Sequence, residues 1–112
     1  MNKYGAKKTE IDGMVFDSKH EATRWIELKY MERAGLIKDL QRQVTYELIP
    51  AQKKDGKVVE RACKYIADFV YFDNHRGEIV VEDAKSKATK TGAYKIKKKL
   101  MLERFGIGIM EV

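Results

Sequence analysis

The chain has 112 residues, enough for one hydrophobic core and too few for two. Hydrophobic residues make up 44%, yet no apolar run approaches the roughly 18 residues that cross a bilayer, which argues against a membrane span. The net charge is +6, and the lone Cys63 excludes an internal disulfide; with only His20 and His75 beside it, no zinc-ligand spacing exists either.

Residues 1–8 are polar and basic and read as an arm. Residues 10–16 carry an Asp12-Gly13 turn between short apolar pieces, the pattern of a small hairpin. Asp17 or Ser18 can cap a helix running to about Ala34, with Glu21 as capping-box partner of Ser18 and Gly35 as the stop. Its apolar positions are Ala22, Trp25, Ile26, Leu28 and Met31, interrupted by Lys29 and Glu32. A strand is expected over 44–49, ending at Pro50, the only proline. After a turn over 53–57, a long strand is expected over 58–72, then a turn over 73–77 and a strand over 78–85, giving an antiparallel meander. A polar loop over 86–92 precedes a helix over 93–105, with Leu100, Met101 and Phe105 apolar and Gly106 closing it. A last strand fills 107–112. The expected class is α/β, one domain over 1–112: arm and hairpin over 1–16, then a core over 17–112 in the order α-β-β-β-α-β.

The residues suited to chemistry lie in the meander. A strand sends alternate side chains to one face, so Asp68 shares a face with Ile66, Val70 and Phe72, an ionisable group among apolar neighbours. Asp83 stands fifteen residues later with Lys85 on its own face, while Glu82 points the other way unless a bulge intervenes. For Glu82 both a structural salt bridge and metal ligation are open, and Lys85 could simply pair with Asp83. Tyr65, Phe69 and Tyr71 also alternate, which suits core packing better than base stacking. Two acids and a lysine on adjacent strands are what a magnesium-dependent phosphodiesterase needs. All of the charge excess lies in residues 85–112, where eight Lys and Arg face only Glu103 and Glu111. A phosphate-attracting surface beside a cation site is therefore expected. The start of the chain is basic with no apolar stretch behind it, so no secretory signal is read and a cytoplasmic location is expected.

Together these features resemble the PD-(D/E)xK nuclease superfamily over nearly the whole chain after residue 17. Ala67-Asp68 stands at the position of the superfamily's Pro-Asp, Asp83-Ala84-Lys85 fits its (D/E)-x-K element, and Glu21 matches the acid that many members carry in the first helix. Within it, the chain looks most like small phage-encoded proteins related to Holliday-junction resolvases, and more distantly like the nuclease subunits of some transposition systems. The resemblance implies a restriction-endonuclease-like αβββαβ core, a mixed central sheet flanked by helices, and hydrolysis of DNA phosphodiesters with Mg2+, for which Mn2+ can substitute. It assigns Glu21, Asp68 and Asp83 to the metal and Lys85 to charge stabilisation at the reacting phosphate, with Gln43 and Glu82 as site neighbours. Lys87, Lys90, Lys95, Lys97, Lys98 and Lys99 would contact the DNA backbone by shape rather than sequence. A resolvase acts on a two-fold junction, so a homodimer in the host cytoplasm is implied. The rival expectations are a basic nucleic-acid-binding module without cleavage, and a nuclease subunit active only with a partner protein.

Overall fold

The computed structural model describes residues 8–84 and 90–112. It begins with a hairpin of β1 (Thr9–Ile11) and β2 (Met14–Phe16), turned by Asp12 and Gly13 at φ 50° and 80°. Two successive left-handed residues match the natural twist of paired strands, and Asp-Gly supplies them cheaply. Helix α1 (Lys19–Arg33) starts at Ser18, whose Oγ accepts the Glu21 backbone N–H at 3.1 Å, and the chain leaves it through Gly35 at φ 76°. Then follow β3 (Ile37–Ile49), β4 (Gln52–Lys54), β5 (Lys57–Glu60), β6 (Cys63–Asp73), β7 (Glu78–Asp83), α2 (Gly92–Phe105) and β8 (Met110–Glu111). Thr91 caps α2 at its start and Gly106, at φ 68°, ends it.

The central sheet has the order β3-β6-β7-β8, antiparallel except that β8 runs parallel to β7. Among the described residues the architecture is thus α/β, a mixed four-stranded sheet with two helices. No helix among the described residues is long and apolar enough to cross a membrane.

Several expectations change in extent: the strand over 78–85 ends at Asp83, and the turn over 53–57 narrows to Asp55-Gly56 between β4 and β5. The strand over 44–49 begins at Ile37, because β6 offers β3 partners from Ile37↔Asp73 to Ile49↔Cys63. The long strand over 58–72 is two strands, β5 and β6, broken at Arg61-Ala62, and the outer piece pairs only with β4. The last strand shortens to two residues. The arm over 1–7 lies outside the described residues.

The core falls into two clusters. One joins Phe16, Ala22, Leu28, Ile37, Phe69, Tyr71 and Val80; the other joins Leu48, Tyr65, Ala67, Val81, Tyr94, Met101 and Ile109. Trp25 binds hairpin and sheet to α1, with its ring 6.1 Å from both Phe16 and Phe69. Fully burying a side chain such as Phe16 or Leu28 contributes about 1.5–3 kcal/mol, so α1 is held by its packing rather than by its ragged stripe. Val80 and Val81 enter opposite clusters, as alternation on a strand requires.

Along β6 alternation alone does not explain the packing. Tyr65 and Ala67 join the second cluster, whereas Phe69 and Tyr71, of the same parity, join the first. On the paired strand, Leu40 packs with the first cluster and Arg42 covers the Phe16 ring, while Tyr46 and Leu48 serve the second. Both strands change faces between these groups, at Gln43 and Asp68. Gln43 has φ 54°, and the ladder pairs Arg42↔Phe69 and Val44↔Ala67 but skips the residues between. A left-handed residue inside a strand re-aims everything beyond it.

Candidate active site

The break in the ladder gathers the acids. Glu21 sits in the first turn of α1, next to Ala22, whose burial in the first cluster turns this end of the helix onto the sheet; Glu21 itself is 4% exposed. Its carboxylate accepts the Gln43 side-chain amide, Nε2 to Oε1 at 3.3 Å. The second hydrogen of that amide points to Asp68 Oδ1 at 3.4 Å, so Gln43 joins the helix acid to the strand acid. The other oxygen of Asp68 accepts the Ala84 backbone N–H at 2.8 Å.

Asp83 ends β7 and is 2% exposed. Its Oδ2 accepts the Tyr65 hydroxyl at 2.6 Å, and its carboxyl adjoins that of Asp68 within hydrogen-bonding contact. Asp68 and Asp83 therefore face the same side of the sheet. Of the apolar company expected for Asp68, Ile66 is 54% exposed, while Val70 is half-buried against the second cluster and Phe72 is half-buried; the fully buried parity of β6 is that of Tyr65, Ala67, Phe69 and Tyr71. These aromatic rings are core, not a stacking surface.

Burial, reinforced by the neighbouring charges of Asp83 and Glu21, pushes Asp68 up to about 8. Glu21 is also raised, by burial first and then by Asp17, with Arg42 pulling the other way. Arg42 Nη2 stands 3.7 Å from Glu21 Oε1 and donates to the Val15 carbonyl at 3.1 Å, with the guanidinium 4.1 Å from the Phe16 ring centre. Asp17, Glu21, Arg42 and Gln43 line a recess that opens beside the acids. Among the described residues, no three Asp, Glu, His or Cys side chains already enclose a position for an ion. Asp68 and Asp83 touch, and Glu21 reaches them through the Gln43 amide.

Glu82 belongs elsewhere. It is fully buried and held by Arg24 on α1, with Nε and Nη2 each 2.7 Å from its oxygens, and by the Tyr71 hydroxyl. Of the two readings open for it, the structure takes the salt bridge: Glu82 is turned from the acid group by strand alternation and is not a site neighbour. The hydrogen bonds and charge of Glu82 raise Arg24 further above its ordinary range.

Lys85 and Lys87 lie outside the described residues. Lys90 and Lys98 both approach Glu111, at 3.1 and 3.5 Å, and Glu111 also accepts the Tyr94 hydroxyl at 2.7 Å. These two lysines are therefore partly neutralised, whereas Lys95 and Lys99 are exposed and Lys97 is half-buried. The structure brings Glu21, Gln43, Asp68 and Asp83 near one another, with contacts from Tyr65 and Arg42, and holds Glu82 by Arg24; the sequence marked none of these last three for such partners. Parity put Tyr65 on the wrong face, and the two arginines had no motif to mark them; only packing brings them to their partners.

No curated protein and no solved structure matches the chain. Residues 1–108 match the family model described as "Protein of unknown function (DUF1064)", and the chain belongs to that family.

Proposed function

We propose that this protein is a metal-dependent, structure-selective DNA endonuclease of the PD-(D/E)xK type, acting on branched DNA in the manner of a phage Holliday-junction resolvase. The observation that carries the reading is the meeting of the Asp68 and Asp83 carboxyls beside Ala84, with Glu21 tied to Asp68 through one amide. The order α1-β3-β6-β7-α2-β8, with β8 parallel to β7, supports it as the arrangement the resemblance implies.

The donor set suits Mg2+. It consists of hard carboxylate oxygens, and the Asp68 carboxyl, raised by burial and by the charges of Asp83 and Glu21, stands where further negative charge is resisted and a divalent cation would offset it. Asp68 and Asp83 would hold the ion, with Glu21 joining directly or through water as the Gln43 amide gives way. The bound ion would supply acidification of a water and neutralisation of phosphoryl charge. Tyr65 fixes one oxygen of Asp83, leaving that carboxylate a defined direction. Ala84 does the same for Asp68 through its backbone N–H. Lys85, the residue after Ala84, would add positive charge to the reacting phosphate, a role that stabilises the transition state more than the bound substrate.

The deciding experiment incubates the purified protein with four-way junction, flap, linear duplex and single-stranded DNA, with Mg2+ and with EDTA. Cleavage that needs the metal, prefers the branched substrates and disappears in Asp68→Ala and Lys85→Ala while DNA binding persists is the expected result. Cleavage surviving both substitutions would reject this site. Binding without cleavage under every condition would return the protein to the class of nucleic-acid-binding modules.

A further inference from the structure

The strands β4 and β5 form a ribbon that the core does not explain. Every residue of both strands is exposed, so the ribbon buries no side chain against the clusters. A two-stranded hairpin on its own is marginal in water. This one closes tightly on Asp55 and Gly56, at φ 52° and 76°, and its register sets Lys54 directly opposite Lys57 with Lys53 opposite Val58. Like charges facing each other across a ladder oppose the pairing that places them there. Arg61 follows at the base. None of Lys53, Lys54, Lys57 and Arg61 forms an ion pair among the described residues, although Asp55 and Glu60 lie on the same ribbon.

We propose that the β4–β5 ribbon is a nucleic-acid arm, whose Lys53, Lys54 and Lys57 straddle the phosphate backbone of the duplex leading away from the candidate active site. A phosphate between Lys54 and Lys57 turns their mutual repulsion into attraction and supplies the support the ribbon lacks. The placement fits one continuous substrate. β3 and β6 run from Gln43 and Asp68 to the last core pair, Ile49↔Cys63, in six and five residues, a span of about 20 Å and less than one turn of duplex. A second copy of the chain is a poorer occupant. Val58 and Val59 are 55% and 56% exposed and could pair edge to edge, but the lysines on both strands repel an identical ribbon.

The inference rests on the nuclease reading only for what the DNA is held for, and its test omits cleavage. Binding of a fluorescent blunt duplex is measured in EDTA over a range of salt concentrations for the wild type, for Lys53→Ser/Lys54→Ser/Lys57→Ser, and for the same three positions changed to Arg. The serine variant is expected to bind more weakly at low salt, with the slope of log affinity against log salt smaller by about 2–3, since each lost phosphate contact removes about 0.9. The arginine variant keeps both. Because the ribbon covers no core, the serine variant should melt with the wild type. Unchanged affinity and slope in the serine variant overturn the proposal. So does a wild type that does not bind duplex, or a variant whose only change, seen by size-exclusion chromatography, is loss of a dimer. A protein that binds through the ribbon yet never cleaves leaves the arm standing and rejects the nuclease reading alone.

Discussion

The raised Asp68 carboxyl makes stability depend on pH in a direction opposite to that of most acidic residues. Folded Asp68 titrates at about 8 against a reference value of 3.8, so between these limits the folded chain holds a proton that the unfolded chain has released. Stability from this group is therefore fully present below pH 4, falls as pH rises through the window, and is lost above 8. Each tenfold difference in proton affinity between the folded and unfolded chain corresponds to about 1.4 kcal/mol, but Asp68 is only half-buried and solvent screens part of the effect, which brings the expected loss to about 2–3 kcal/mol. The assay is urea denaturation of the metal-free protein from pH 4.5 to 8.5, beside Asp68→Asn, which cannot take up or release the proton. Groups held low, such as Glu32, Asp73 and Glu111, add stability as pH rises near the acid end, and they do so equally in both proteins. The difference between the two curves isolates Asp68, and the variant should gain on the wild type as pH rises. Millimolar Mg2+ should then restore the wild type at pH 8 more than at pH 5.5 and leave the variant little changed. A difference curve that is flat, or that slopes the other way, would falsify the account of the acid pair.

The same architecture fixes two further outcomes. Arg24→Ala leaves the fully buried Glu82 charged and without its cation, which should cost about 3–5 kcal/mol in chemical denaturation; a loss under about 1 kcal/mol would show that Glu82 is not held as described. Gln43→Gly removes the bridging amide and relieves a left-handed backbone that costs a non-glycine residue about 1–2 kcal/mol, so melting temperature should hold or rise while cleavage falls. Gln43→Ala loses the same amide without that relief and should be the less stable of the two; the opposite order would mean that no backbone strain is stored there.

The elements were readable from the chain because their signals are local. Ser18, Gly35 and Gly106 mark helix ends through capping chemistry that depends on a few neighbouring residues, and Asp12-Gly13 and Asp55-Gly56 specify tight turns by backbone preference alone. Strand spacing singled out Asp68 and Asp83, Glu21 came only with the resemblance, and alternation along β7 sent Glu82 and Asp83 to opposite faces.

What the chain could not disclose is decided by contacts between distant residues. Parity along β6 predicts one buried face, but left-handed Gln43 on the neighbouring strand exchanges the faces at Asp68, and nothing in a glutamine's own preferences announces φ 54°. That exchange lets Tyr65 reach Asp83 and lets one amide join Glu21 to Asp68. Arg24 meets Glu82 across 58 positions of sequence, and the break at Arg61-Ala62 frees a basic ribbon from what the sequence presents as one strand. Local sequence sets which backbone shapes are cheap; only packing of the whole sheet against its helices determines which strained one is worth keeping.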